Sequence, residues 1–288
     1  MLFSIIIPTY NRAHLIENTI RSVLNQTYTN FELIIVDDGS TDNTESVVKS
    51  IDDERIKYYK KENAERGAAR NYGIDKSKGD YITFLDSDDV FYSNALASAF
   101  EAIKKDCPGF FHLSYEILYE EDSIIQSYNT NNPMFLVKGN PLSCIGIFIK
   151  SDIFNAHKFN EDRLLSGSED WELWMRLYAN YGLISYKDIC GAIIQHDQRS
   201  VMSYSEEELC YRKNKAIEYA FKDDKVRSVF SRYMLKINAY LNSYIALHLI
   251  LSKNKKRALH YYLEALKLYP ILFFSRRSLA IIKHLIFS

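Results

Sequence analysis

Tyr81-Ile82-Thr83-Phe84-Leu85-Asp86-Ser87-Asp88-Asp89 is an alternating, β-rich run that stops abruptly in a cluster of carboxylates. Such a strand delivers its last residues to the carboxyl edge of a sheet, where open α/β sheets bind ligands. Asp86 and Asp88, one residue apart at the turn, can reach the same point in space. A divalent cation relieves their repulsion, and hard carboxylate oxygens suit Mg²⁺ or Mn²⁺, which can in turn hold a diphosphate. The competing reading is a solvated turn in which the aspartates merely cap the backbone.

The residues upstream decide between the two. Phe3 to Pro8 reads as a buried strand, followed by the loop Thr9-Tyr10-Asn11-Arg12. A helical stripe of Ile16, Ile20, Val23 and Leu24 lies within 13–26. A second strand, Phe31 to Val36, ends in Asp37-Asp38-Gly39-Ser40-Thr41-Asp42, with Ser40 or Thr41 expected to cap a helix over Asn43 to Ser50. Arg55 to Lys60 is a shorter strand. Arg66 to Lys76 is a helix opening on Gly67-Ala68-Ala69, small residues that let backbone approach a ligand. The order β-α-β-α-β-α-β means a parallel, helix-covered sheet. Its topology gathers Thr9-Tyr10-Asn11, Asp37-Asp38 and Asp86-Ser87-Asp88 on one rim. The phosphate-binding patterns G-x-x-x-x-G-K-[ST] and G-x-G-x-x-G are absent, so phosphate must be held through a metal.

The second half differs. Phe110 to Tyr119 and Ser123 to Tyr128 suggest a hairpin, and Cys144 to Lys150 a strand. Glu169-Asp170-Trp171-Glu172 opens a helix with Ser166 or Ser168 as its expected cap. Leu183 to Tyr186 and Ala192 to Gln195 read as two strands, His196 following the second. From Ser205 onward the pattern is helical. Trp171 and Trp174 fall on one helical face, which favours core over sugar platform, Trp171 being the better platform of the two.

The 288 residues and 33.6 kDa fit a large domain with an appendage. Cys107, Cys144, Cys190 and Cys210 lie far apart, against a zinc site or disulfide framework and in keeping with a reducing compartment. Met1 to Ile7 is apolar but short and lacks a basic leader, so a buried strand is expected rather than a signal peptide. From Tyr204 to Ser288 there are 16 Lys and Arg against 7 Asp and Glu, whereas the remainder has 20 against 30. This basic tail on an acidic body favours an anionic partner. Ile271-Leu272-Phe273-Phe274 beside Arg276-Arg277, and the run around Lys283, have the mixed character of interfacial helices. No recognition motif points to nucleic acid.

Five segments together resemble the family 2 glycosyltransferases of the GT-A fold: Ile7-Pro8-Thr9-Tyr10-Asn11-Arg12, Val36-Asp37-Asp38-Gly39-Ser40-Thr41-Asp42, Gly67-Ala68-Ala69-Arg70-Asn71, Leu85-Asp86-Ser87-Asp88-Asp89 and Ser168-Glu169-Asp170-Trp171. They occur in the family's order over roughly the first 200 residues. The resemblance implies an α/β, Rossmann-like and mostly parallel sheet with helices on both faces, over 1–203, split into a nucleotide-sugar half (1–100) and an acceptor half (101–203). Residues 204–288 form a basic helical extension. It implies a UDP-sugar donor, Mn²⁺ or Mg²⁺, and inverting transfer of a hexosyl or N-acetylhexosaminyl group to a saccharide or lipid-linked saccharide, as in bacterial surface polysaccharide assembly. Pro8, Thr9 and Tyr10 would border the base, with Asp38 accepting from the uracil N–H. Arg66 or Arg70 would lie near base or diphosphate, with Arg12 and Ser87 in the same donor set. Asp86 would bond ribose and Asp88 ligate the metal. Asp170 would be the catalytic base, with Glu169 as its orienting partner or the base itself. His196 is the candidate third metal or diphosphate ligand. The motif Gln-x-x-Arg-Trp of processive members is absent; Gln195 to Arg199 does not match it. The expected location is cytoplasmic, peripheral on the inner face of the membrane, with oligomeric state open. The competing functions are a sugar nucleotidyltransferase, which would carry a glycine-rich, lysine-bearing loop after the first strand, and a non-catalytic sugar-nucleotide-binding subunit.

Overall fold

The computed structural model describes residues 1–120, 122–195 and 205–287. Its elements run β1 Phe3–Thr9, α1 Ile16–Leu24, β2 Phe31–Asp37, α2 Thr44–Lys49, β3 Ile56–Lys60, α3 Glu65–Lys76, β4 Tyr81–Phe84, β5 Val90–Phe91, α4 Ala95–Asp106, β6 Phe110–Leu118, β7 Ser123–Gln126, α5 Met134–Val137, β8 Ile147–Lys150, α6 Glu169–Tyr181 and β9 Ile184–Ile194. Helices α7 Glu206–Ala220, α8 Asp224–Phe230, α9 Met234–Leu251, α10 Lys255–Leu268 and α11 Arg276–Phe287 follow.

The sheet order is β3-β2-β1-β4-β8-β6-β9-β5, with β7 paired to β6. β1 to β4 are mutually parallel where they pair, and β8 runs antiparallel to both β4 and β6. Every residue of β1 and β2 is buried, which requires cover on both faces. The period of two divides the apolar residues accordingly. Ile6, Ile34, Ile82 and Phe84 share a cluster with Ala69 and Ile74 of α3 and Trp174 of α6. Ile5, Ile7, Leu33 and Ile35 point to the other face, with Ile16 and Ile20 of α1 and Leu96 and Ala99 of α4.

The chain departs from its local expectations in four places. Leu183 to Tyr186 and Ala192 to Gln195 are parts of one strand, β9. The exposed pair Lys187-Asp188 that separates them sits where β9 slips register against β6, between Leu113 and Glu116. Ser40 and Thr41 do not cap α2. Ser40 Oγ accepts from Asn11 N–H (2.8 Å), and Asp42 accepts from Thr44 N–H (3.0 Å). Ser168 occupies the N-cap of α6 without a side-chain cap, because the Glu169 carboxylate itself accepts from Gly167 and Ser168 N–H. Gly67 is small for the sake of the chain's own packing: a Cβ there would stand 2.9 Å from the Asn160 carbonyl, so its smallness lets α3 lie against that segment.

β5 pairs with β9 through an equally close approach. A Cβ on Gly191 would stand 2.3 Å from the Val90 carbonyl. Gly191→Ala is expected to cost about 1–3 kcal/mol, the usual penalty of overpacking, read as a lower urea midpoint.

After Ser205 the chain closes over the body. Ser205 Oγ accepts from Glu208 N–H (3.2 Å) while Glu208 accepts from Ser205 N–H (2.9 Å), a reciprocal cap that starts α7. α7 and α8 pack on α6, and α9 packs on α7, α10 and α11. Phe230, Ile237 and Leu249 join Trp171 and Trp174 in one core cluster.

Candidate active site

The rim forms where parallel strands end together. Thr9 pairs with Asp37, Asp38 N–H donates to the Thr9 carbonyl (2.8 Å), and Leu85 N–H donates to the Ile6 carbonyl (3.0 Å). The loop after β1 is tied to the loop after β2 by Asn11, whose left-handed φ of 51° turns its side-chain oxygen to accept from Thr41 N–H (2.8 Å). These ends open on a cavity of about 1070 Å³. Pro8, Thr9, Tyr10, Arg12, Asp38, Arg66, Arg70, Asp86, Ser87, Asp88, Glu169 and Asp170 all line it. His196, and with it the segment 196–204, lies outside the described residues.

The carboxylates divide by environment. Asp37 is fully buried and accepts from Ser40 N–H and the Tyr58 hydroxyl, which fixes the turn after β2. Asp89 accepts from Ile194 N–H and pins the end of β9. Neither lines the cavity. Asp38 does; its Oδ1 accepts from Lys61 Nζ (2.6 Å) and Ala64 N–H (3.0 Å), so it is held as an oriented acceptor. Thr9 Oγ1 is buried at the cavity wall with no hydrogen-bond partner among the described residues, as suits a wall awaiting a polar ligand.

Arg70 and Glu169 both line the cavity and are tied to each other. Arg70 is only 2% exposed. Its Nη1 donates to Glu169 Oε1 and its Nη2 to Asp86 Oδ1, both at 2.8 Å, and its guanidinium lies 5.4 Å from the Phe159 ring centroid. A guanidinium bonded to two carboxylates is a strut between α6 and the residues that follow β4. Glu169 is equally committed: Oε2 accepts from Gly167 N–H (2.7 Å) and Ser168 N–H (3.0 Å), and Oε1 from Arg70. Three such hydrogen bonds fix the orientation of this carboxylate beside the start of α6.

Asp170 fits a base better. Oδ1 accepts from Trp171 N–H and Oδ2 from the Asn140 side chain, both at 2.7 Å. Burial, and then the Glu169 charge, raises its pKa above the ordinary carboxylate value, against the lowering pull of Arg70 and Lys213. Trp171 lies against the core at 2% exposure, its Nε1–H donating to the Leu136 carbonyl, so it supplies little open ring for a sugar.

Sequence reading missed half of the cavity. Phe135 to Ser143 flank it on one side, and Lys213, Ile237, Tyr240, Leu241, Tyr244 and Arg277 close it from the C-terminal helices. Arg277, expected on a membrane-facing surface, projects into the cavity instead, because its guanidinium docks on α9. No local motif marks these residues. The sole signal is the positive charge of the tail.

The donor set was weighed against a divalent cation. Asp86 and Asp88 present hard oxygens on the rim, and among the described residues no group of three metal-ligating side chains occurs. A cation held by one or two carboxylates and completed by phosphate oxygens and water needs no more than this, so the residues fit Mn²⁺ or Mg²⁺.

Known proteins share this architecture. A family model described as "Glycosyl transferase family 2" matches residues 4–160. The UDP-Glc:alpha-D-GlcNAc-diphosphoundecaprenol beta-1,3-glucosyltransferase WfgD of Escherichia coli is 33% identical over 208 residues, covering 71% of this chain and 79% of that protein. An uncharacterized glycosyltransferase of Rickettsia bellii is 36% identical over 66% of this chain, but the match spans 27% of that much longer relative. Among solved structures, residues 1–349 of Staphylococcus aureus TarS in complex with UDP-GlcNAc superpose with a TM-score of 0.66 at 19% identity, covering 94% of this chain and 92% of that one. That likeness establishes the GT-A type of fold, with its C-terminal helices.

Proposed function

The chain belongs to glycosyl transferase family 2, and on that premise we propose that it moves one sugar from a UDP-sugar to a hydroxyl of a lipid-linked saccharide, with inversion, in bacterial glycan assembly. The observation that carries the reading is a single cavity with Asp38, Asp86 and Asp88 on the sheet edge and Asp170 at the start of α6. The names of the E. coli and S. aureus proteins support a UDP-linked donor, and that of the former a diphospholipid acceptor.

Asp38 and Tyr10 frame the base site, and Asp86, braced by Arg70, faces ribose. Asp88, with Asp86 beside it, would hold Mn²⁺ or Mg²⁺, whose role is to offset negative charge on the leaving diphosphate. The acceptor oxygen attacks the anomeric carbon, the bond from that carbon to the diphosphate oxygen breaks, and Asp170 takes the hydroxyl proton. One displacement with one base inverts the centre, so an α-linked donor gives a β-linked product.

Location follows from the outer surface of the tail. Among the described residues no helix is long and apolar enough to cross a membrane. Phe274 is 82% exposed, and Ile271, Leu279 and Ile286 are exposed with it, close in sequence to exposed Arg276 and Lys283. Apolar and cationic groups so mixed suit peripheral contact with an anionic cytoplasmic leaflet.

The test is a donor screen with an alkyl-diphosphate saccharide panel, reading released nucleotide and glycosylated product. One UDP-sugar is expected to turn over, and chelation with EDTA or Asp88→Ala to abolish product formation, with added Mn²⁺ restoring only the chelated wild type. Turnover unaffected by both treatments contradicts the metal role, and turnover of no nucleotide sugar contradicts the function.

A further inference from the structure

The C-terminal helices carry two cations into the catalytic cavity that the transfer chemistry above does not use. Lys213 comes from α7 and Arg277 from α11, and both flank the ring of Tyr244 on α9. Lys213 Nζ lies 5.4 Å from that ring centroid and Arg277 Cζ 5.7 Å. Lys213 Nζ is also 5.7 Å from the Trp171 centroid, so two aromatic faces hold the ammonium beside the start of α6. It makes no hydrogen bond or ion pair among the described residues. Arg277 spends Nη1 on the Tyr240 carbonyl and Ser243 Oγ, each at 3.0 Å. These two bonds fix its plane and leave Nε and Nη2 without a partner among the described residues.

Sheltered cations of this kind are costly unless an anion meets them. Burial pulls Lys213 below the usual lysine value, with Asp170 and Glu169 opposing, and burial likewise lowers Arg277. Neither cation donates to a carboxylate among the described residues, although Asp170 and Glu169 are near enough to influence Lys213. Both cations arise on the C-terminal wall, whereas the donor-side carboxylates Asp38, Asp86 and Asp88 follow β2 and β4. Ile237 and Leu241 make the wall around them apolar. The cavity thus combines the proposed base, two cations and an apolar wall. A guanidinium fixed in its plane and an ammonium over the same tyrosine ring together suit phosphate oxygens.

Resting on the glycosyl-transfer reading, we propose that Lys213 and Arg277 form a binding site for the acceptor's own diphosphate, the group joining its saccharide to its lipid, while Ile237 and Leu241 receive the start of the lipid chain. The positive tail then selects acceptors carrying a diphosphate, and its charge is divided between this site and the outer surface.

The experiment is calorimetric titration of the full chain with decyl diphosphate, with and without saturating UDP and Mn²⁺, and with decyl maltoside as the uncharged control. The wild type is expected to bind decyl diphosphate in the presence of UDP. Lys213→Met and Arg277→Gln should each weaken that binding about tenfold or more, as loss of a charge-assisted contact does, while UDP affinity stays as in the wild type. Lys213→Arg and Arg277→Lys, which keep the positive charge, should retain more of it than the neutral variants and serve where a neutral variant fails to fold. Decyl diphosphate binding that ignores both neutral substitutions, or matches that of decyl maltoside, overturns the site. A parallel fall in UDP affinity assigns the cations to the donor and overturns it too. Failure of UDP to bind the wild type would strike the donor reading alone, since the arm without UDP still reads the two cations.

Discussion

Asp170→Asn is expected to lower the rate of sugar transfer about 10²–10⁴-fold, the usual contribution of a positioned general base, while leaving UDP affinity unchanged. The change preserves shape, and the side-chain oxygen can still accept from Trp171 N–H. What disappears is the capacity to take the acceptor proton. Single-turnover rates with saturating donor and acceptor measure this directly. The pH profile adds an independent check. The base works only when deprotonated, so activity falls as pH drops through its pKa. Burial and the Glu169 charge raise that pKa, which places the acid limb of kcat/KM above the value of about 3.9 for an ordinary aspartate. An unchanged rate in Asp170→Asn would remove Asp170 from the chemistry.

The second large effect concerns Arg70. Among the described residues its guanidinium is the one cation hydrogen-bonded to Glu169, and it joins Glu169 to Asp86 in the cavity lining. Arg70→Leu leaves a buried carboxylate without its counter-ion, and breaking a buried pair from one side costs about 3–5 kcal/mol. Urea unfolding should therefore show a much lower midpoint. UDP binding should weaken with it, because Asp86 loses its brace. Arg70→Leu combined with Glu169→Leu should recover part of the lost stability, since the stranded charge is gone. No recovery in the double variant would mean that the pair is not the source of the loss.

The half of the fold that bears the donor side was legible because its signals are local. β1, β2 and β4 are short apolar runs that each end in polar residues, and parallel order alone sends those ends to one edge. The hairpin of β6 and β7 was equally plain from its flanking acidic turn. α4 escaped notice because its buried stripe of Ala95, Ala99 and Ala102 is built largely from alanine, which gives a weak apolar signal. β9 was split in two because Lys187-Asp188 interrupts its apolar pattern, whereas a bulge carries that pair out to solvent. The division of labour among the carboxylates was not legible. Whether an aspartate holds a turn, as Asp37 does, or lines a cavity, as Asp38 does, depends on partners far away in sequence. Lys213 and Arg277 were hidden for the same reason: their place beside Asp170 is set by the packing of α7, α9 and α11, and no spacing rule encodes it.

The central claim is that the rim of β1, β2 and β4 receives the nucleotide and its cation with Asp170 across the cavity. The most direct measurement is a crystal structure of the chain with UDP and Mn²⁺. The account predicts uracil against Asp38 and Tyr10, ribose at Asp86, and manganese bound by Asp88 and the diphosphate oxygens. UDP bound outside this cavity, or manganese without contact to Asp88, would contradict it.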